Sequence, residues 1–490
     1  MNILDRLIAE ISPQWGVQRS TARMQLDVMR KYEAADVGRR QSGWKAGSGT
    51  ANVEISQGID RVRNRCSQMV RDNEYAKKVI VTLATKIVGT GITVIPELKS
   101  ERALWQRWCD GECDADGQLD LPGLERLAVA CWKERGEVLA RRRWRRTEDD
   151  LAVPMQIQLL EPDHLDHLKT GINADTGNPV IMGVEFDNLG RRAAYWLFPE
   201  HPGESLLLRR GLLSKRVPAS EVLHLYRKDR ISQVRGVPEL AVSLMRMRDL
   251  KGYEEAELVR KRIESCFSAF VTTDEPRKSL GDLQKEQSSR VVEKLSPGMI
   301  KYLTQGESVT FGTPSSTGGY HDYTSTQLHA LATGSGITYH QLTGDTSKSS
   351  YTSHRASVRE FYDIIDQEQW LTFIPMFIRP LRRWWRDAAT VAGVRLGAKP
   401  DRITTPRKQM VDPLKDTMAD KQDVLGGFSS LSEKLRERGY DPEQVFEEIR
   451  AERKTLADFG IVIDTDATVS DLKLNPTDVL AADAQQGAAA

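Results

Sequence analysis

Glu161-Pro162-Asp163-His164-Leu165-Asp166-His167 packs two histidines and three acids into seven residues. Imidazoles and carboxylates at that density could hold a divalent cation and activate water, the chemistry of a hydrolytic metal site. The competing reading is a turn, where Asp and Pro are expected for backbone reasons alone, whereas metal ligands need a rigid element and a supporting shell. Cys109 and Cys113 are separated by three residues, Asp110 and Glu112 among them, but no second CxxC and no histidine pair completes a zinc set. With Cys66, Cys131 and Cys266 they make five unpaired cysteines, which read as reduced thiols of a cytoplasmic protein.

The run Arg141-Arg142-Arg143-Trp144-Arg145-Arg146 offers cations with an aromatic among them. Alternation along a strand sends its charges to both faces, so a solvated or intersubunit cluster is favoured over a phosphate grip. Gly344-Asp345-Thr346-Ser347-Lys348-Ser349-Ser350 has the look of a phosphate loop but lacks the Gly-Lys-Ser/Thr ending of a Walker A motif, which occurs nowhere in the chain. An ATP-driven motor is therefore disfavoured. No HExxH, GxSxG or strand-turn-helix GxGxxG is present, and no cofactor is called for.

The elements that must position these residues follow from punctuation and periodicity. In 490 residues, 39% are hydrophobic and 28% charged, enough for a globular fold of several parts. Lys and Arg number 70 against 69 Asp and Glu, a balance unlike that of proteins whose main task is to grip phosphate. Neither a signal peptide nor a membrane span is expected, because the most apolar segment, residues 79–95, is broken by Lys86.

Residues 1–50 read as an arm or linker. Asp72-Asn73 opens an amphipathic helix carrying Ala76, Val79, Ile80, Leu83 and Ile87, with Gly89 at its end. Strands are expected at 136–146, 155–160, 181–186 and 193–198, with Asp187 to Gly190 turning a hairpin. Pro238 should open a helix reaching residue 268, on the order of 45 Å long at about 1.5 Å per residue. A small α/β insert follows, with strands at 267–273, 299–303 and 308–311. A helix over 323–342, bent at Gly334 and Gly336, returns from it. Residues 351–391 should form a helix kinked at Pro375 and Pro380. Residues 400–413 read as a linker, 415–425, 428–437 and 442–459 as helices, and the Ala-rich end as a tail.

An ordered set of segments adds to this. Ala34-Ala35 to Arg39-Arg40 and Trp44, Arg71 to Ala76, Ile87 to Ile92, Gly136-Glu137, Gln158 to Asp163 and Gly183 to Phe186 come first. Val222-Leu223-His224-Leu225-Tyr226 and Gln233-Val234-Arg235-Gly236-Val237-Pro238 follow, and are the most specific. Ser296 to Ile300, Gly306-Glu307, Leu342 to Asp345, Ser350 to Ala356 and Asp412 to Asp416 complete it. In this order, over residues 30–460, the chain resembles the lambda-type phage portal proteins. Thr352 and His354 stand where that family often has serine, and nothing beyond Asn475 has a clear counterpart.

The resemblance implies a mixed α+β, multi-part fold assembling as a ring, usually of about twelve copies, around a channel for double-stranded DNA. Its parts map as an N-terminal arm (1–30), a β-rich wing (31–237), a first stem helix (238–268) and a small α/β clip (269–320). A second stem helix (321–343), a tunnel loop with a kinked wing helix (344–400), a helical crown (401–475) and a disordered tail (476–490) complete it. Thr346, Ser347, Lys348, Ser349 and Ser350 would face DNA, Lys348 being the only cation before Arg355. The implied partners are the large terminase subunit, a head-completion adaptor, and the capsid and scaffold proteins of the virion. Two rivals compete. A nucleic-acid processing enzyme requires Asp163, His164 and His167 to converge with another carboxylate. A different ring or adaptor of the virion requires that there be no helix-insert-helix excursion.

Overall fold

A computed structural model describes residues 47–204, 213–265, 269–273, 307–311, 319–347, 350–408 and 412–460. Helix α1 (Ile59–Asp72) ends at Asn73, whose Oδ1 accepts from the Ala76 amide at 2.9 Å and so starts α2 (Glu74–Val88) without a linker. The apolar stripe of α2 is buried from Ala76 to Val88. Gly89, with φ 54°, closes the helix where an added Cβ would lie 2.6 Å from Pro406. Strand β1 (Thr93–Ile95), helix α3 (Lys99–Arg107) and a π-turn (Trp108–Glu112) lead to α4 (Leu121–Arg135), capped by Asp120 through Gly123 N at 2.8 Å.

Strand β2 (Glu137–Trp144) follows directly and pairs antiparallel with β3 (Met155–Leu160). A second sheet runs antiparallel in chain order through β4 (Gly171–Ile172), β5 (Pro179–Ile181), β6 (Val184–Phe186), β7 (Arg192–Leu197) and β8 (Lys215–Pro218). Strand β9 (Val222–Tyr226), all five residues buried, returns to the other edge of β2 and gives the order β3-β2-β9.

Beyond it come α5 (Leu244–Ser265), the antiparallel pair β10 (Ala269–Thr273) and β11 (Glu307–Phe311), and α6 (Tyr320–Gly334). Helices α5 and α6 run antiparallel, for Arg246 bonds to Gln327 while Tyr253, two turns on, packs on Tyr323 with ring centroids 4.6 Å apart. Helix α7 (Tyr339–Thr343), α8 (Tyr351–Gln367), a π-helical stretch (Glu368–Ile378) and α9 (Arg379–Val391) come next. Strand β12 (Arg402–Thr404) and helices α10 (Pro413–Leu425), α11 (Leu431–Glu437) and α12 (Pro442–Asp458) end the described chain.

One core joins α2, α4, the β2 sheet and the α8–α9 segment, with Trp108, Phe373, Phe377 and Trp385 fully buried in it. A smaller core lies over the second sheet, around Leu165, Met182, Val184, Tyr195 and Leu197.

Several sequence expectations are corrected. The strand expected over 181–186 is a hairpin, because Met182 (φ 47°) and Gly183 (φ 84°) both take positive φ and turn the chain tightly. Pro238 opens a short 3-10 turn, Glu239–Val242, and the helix itself starts at Leu244, so its 22 residues span about 33 Å. Gly336 (φ 67°) ends the expected 323–342 helix instead of bending it, and Thr338 starts a new one with a capping box. Pro375 lies inside the i→i+5 stretch, where the wider helix accommodates its missing N–H, and Pro380 sits in the first turn of α9, where none is needed. The expected linker 400–413 contains β12, which pairs with β1. The strand expected at 299–303 and the C-terminal tail lie outside the described residues.

Candidate functional site

Two sites stand out, one buried and one exposed. The buried one is built where α4 hands over to β2. Gly136 (φ 89°) and Gly236 lie backbone to backbone, and a Cβ added to Gly236 would sit 2.0 Å from the Gly136 carbonyl oxygen. Only glycines permit this approach, and it delivers Glu137 against the segment 233–238. The Glu137 carboxylate, with no exposed side-chain area, pairs with Arg63 and accepts from Arg235 Nε at 2.7 Å, His224 Nε2 at 2.8 Å and the Gly236 amide at 2.9 Å.

Other guanidinium donors go to backbone: Arg63 Nε donates to Arg135 O at 3.2 Å, and Arg235 donates to Met182 O at 2.9 Å and Pro162 O at 3.3 Å. A second tier encloses the histidine. Arg192 can only donate, so its 2.8 Å contact makes His224 Nδ1 the acceptor and places the imidazole proton on Nε2, toward Glu137. Arg192 also donates to Tyr195 Oη at 2.9 Å and Tyr226 Oη at 2.5 Å.

Burial alone would raise the Glu137 carboxyl, but Arg235, Arg63 and His224 outweigh it and hold it well below 4.5. Burial lowers His224 to about 4 against the pull of Glu137, so the imidazole is neutral near pH 7. Burial likewise brings Arg63 down to about 10, which leaves it charged. The cluster ties α1, both sheets and the 233–238 segment to one carboxylate. It offers no acid-base pair open to a substrate, and its chemistry is cohesion.

The exposed site is the loop between α7 and α8. Gly344 (φ 77°) ends α7, and Ser350 starts α8 by accepting from the Ser353 amide at 3.2 Å. Asp345 shapes the bend: its amide donates to Thr343 Oγ1 at 3.1 Å, its Oδ1 accepts from the Ser347 amide at 2.9 Å, and its carbonyl accepts from His340 Nδ1 at 2.8 Å. Thr346, Ser347 and Ser350 are exposed, while Lys348 and Ser349 lie outside the described residues.

The metal reading of Glu161–His167 fails on geometry. His164 Nδ1 lies 3.2 Å from the Phe198 carbonyl, and His167 Nε2 lies 2.8 Å from Asp60 on α1. The group that does gather is Glu161, Asp163 and His201, with ligand atoms within 4.8 Å of one another. Arg135 already ion-pairs with Asp163 and approaches Glu161 at 3.6 Å, so a fixed cation engages both carboxylates of that group.

Sequence reasoning gave Glu137, His224 and Arg235 only as letters within resembling segments. Arg63 and Arg192 carried no signal, since neither differs locally from a surface arginine. No helix among the described residues is long and apolar enough to cross a membrane.

The chain is 26% identical over 483 residues to the probable portal protein of Halomonas phage phiHAP-1, covering 90% of this chain and 89% of that one. It is 19% identical over 459 residues to portal protein B of Escherichia phage lambda, covering 82% and 85%. Similar solved chains come from the virion of a native gene transfer agent particle (12% identity, TM-score 0.48, 82% of this chain and 98% of that one). Another comes from the neck of that particle computed with C12 symmetry (14%, 0.47, 78% and 94%). The profile described as phage portal protein, lambda family, matches residues 37–369, a span that holds the Glu137 cluster and the α7–α8 loop. The chain therefore belongs to the lambda family of phage portal proteins, structural parts of the capsid and not enzymes.

Proposed function

We propose that copies of this chain close into a ring of about twelve at one vertex of the capsid, and that double-stranded DNA is packaged and ejected through its axial channel. The β sheets with the α8–α9 segment serve as wing, α5 and α6 as stem, the β10–β11 insert as clip and α10 to α12 as crown. The observation that carries this reading is the excursion out along α5 and back along α6. Met245, Leu258 and Val259 on α5 are 59%, 52% and 51% exposed, and Tyr320 and Tyr323 on α6 are 40% and 43% exposed. Apolar side chains along both helices of a single copy are accounted for if neighbouring stems cover them.

The loop at 344–350 follows the returning helix, so it would lie at the channel wall with Thr346, Ser347, Lys348, Ser349 and Ser350 toward DNA. A conduit must let DNA slide. A wall neutralising many phosphates would hold the duplex by counterion release, whereas hydroxyls with one lysine per copy would not. In this reading the large terminase docks at the clip during packaging, a head-completion adaptor takes its place, and capsid and scaffold proteins surround the wing. Native mass spectrometry with electron-microscope class averages tests the ring. A closed ring with a hole wide enough for a duplex is expected, and a stable monomer or dimer at high concentration refutes it.

A further inference from the structure

The cleft between the β7–β9 side of the sheets and α9 has a volume of about 670 Å³ and an unbalanced charge. Arg142, Arg192, Lys228 and Arg383 line it against a single acid, Asp387, an excess of three positive charges. Arg142 is only 12% exposed at its side chain; it ion-pairs with Asp387 at 3.4 Å, and its Nε has no hydrogen-bond partner among the described residues. Arg192, half-buried, donates to hydroxyls, a carbonyl and an imidazole but reaches no carboxylate among the described residues. Lys228 and Arg383 are exposed at the rim with no ion pair among those residues.

The depth selects the ligand. A duplex presents its phosphates on a broad cylinder and would touch Lys228 and Arg383 without reaching the recessed guanidiniums. A single extended chain can send carboxylates down to Arg142 and Arg192. The lining between the cations is apolar, with Leu223 and Met376 among it, so the fitting ligand is a peptide that mixes acids with aliphatic side chains.

Such a segment exists in this chain. Residues 461–490 contain Asp464, Asp466, Asp471, Asp478 and Asp483 against one base, Lys473, interleaved with Ile461, Val462, Ile463, Val469, Leu472 and Leu474. Its net charge of minus four, five acids less one base, complements the excess in the cleft. We propose that the segment 461–490 docks in this cleft, its aspartates meeting Arg142, Arg192, Lys228 and Arg383.

The test uses the full chain with a photoreactive residue replacing Ser220, an exposed position in the cleft lining. On irradiation, adducts are expected on peptides from 461–490. The pair Lys228→Glu and Arg383→Glu, at rim positions with no ion pair to lose among the described residues, should reduce them by about tenfold or more. Changing the five aspartates to asparagine in an otherwise intact chain should do the same. Adducts that map elsewhere in the chain, that move to added duplex DNA, that ignore both sets of changes, or that do not form would overturn the proposal. None of these readouts depends on ring formation.

Discussion

The Glu137 junction and the α7–α8 loop lie in the same core-anchored chain and use polar residues in opposite ways. At the junction two arginines, a histidine and a backbone amide converge on one carboxylate with no exposed area, and every group is answered within the copy. In the loop, Thr346, Ser347 and Ser350 face outward, and the hydrogen bonds that exist shape backbone. The difference teaches where to look for partners. Buried charge has been assigned to holding sheets and α1 together, whereas the loop's polar side chains lie at the surface, where Ser350 caps α8.

If the junction is cohesive, breaking it should give the largest loss of stability. Glu137→Ala leaves Arg63 and Arg235 buried without their carboxylate, and unfolding in urea should be easier by about 3–5 kcal/mol. A loss below about 1 kcal/mol would mean that water enters and solvates both guanidiniums, and the contrast with the loop would collapse.

The next effect is pH-dependent. His224 is lowered from 6.5 to about 4, so as pH falls the unfolded chain takes up this proton before the folded one. The stability tied to the neutral ring is complete above about pH 6.5 and is lost as pH falls toward 4. His224→Gln can keep both hydrogen bonds without titrating. The wild-type chain should therefore lose on the order of 2–3 kcal/mol more than this variant between pH 7.5 and 4.5 in urea titrations. Equal losses would show that the imidazole does not titrate between the two states.

These two predictions concern residues that the sequence made visible only in part. Helix α2 was legible because Asn73 and Gly89 punctuate a clear apolar stripe, and the 187–190 hairpin because Asp and Gly mark its turn. The 182–183 turn was not, since methionine at positive φ has no sequence signature. The junction was hidden for a different reason: Arg63 and Arg235 lie 74 and 98 residues from Glu137. Charged letters that distant read as surface until the fold brings them together. The run from Glu161 to His167 shows the converse, because sequence proximity places His164 and His167 beside Asp163 while the turn directs them to Phe198 and α1.

The exposed stem should respond in the opposite sense to the junction. Met245→Glu with Leu258→Glu changes side chains that are already 59% and 52% exposed, so the urea midpoint of a single copy should stay within about 0.5 kcal/mol. Ring assembly, read by native mass spectrometry, should fail. Intact rings would mean that the stem faces something other than its neighbours.

The smallest effect on stability, and the sharpest test of the loop, comes from adding charge. Lysines replacing Thr346, Ser347 and Ser349 leave the Ser350 cap in place, so unfolding should again shift by no more than about 0.5 kcal/mol. The consequence is expected at the DNA. Each phosphate neutralised adds about 0.9 to the dependence of binding on the logarithm of salt concentration, and three lysines per copy repeat around the ring. Rings carrying them should retain duplex DNA at salt concentrations that release it from the wild type, and particles built from them should package and eject more slowly. Retention identical to wild type across a salt series would mean that these side chains do not meet phosphate. The loop would then belong with the junction, as a connection between helices shaped for its own copy.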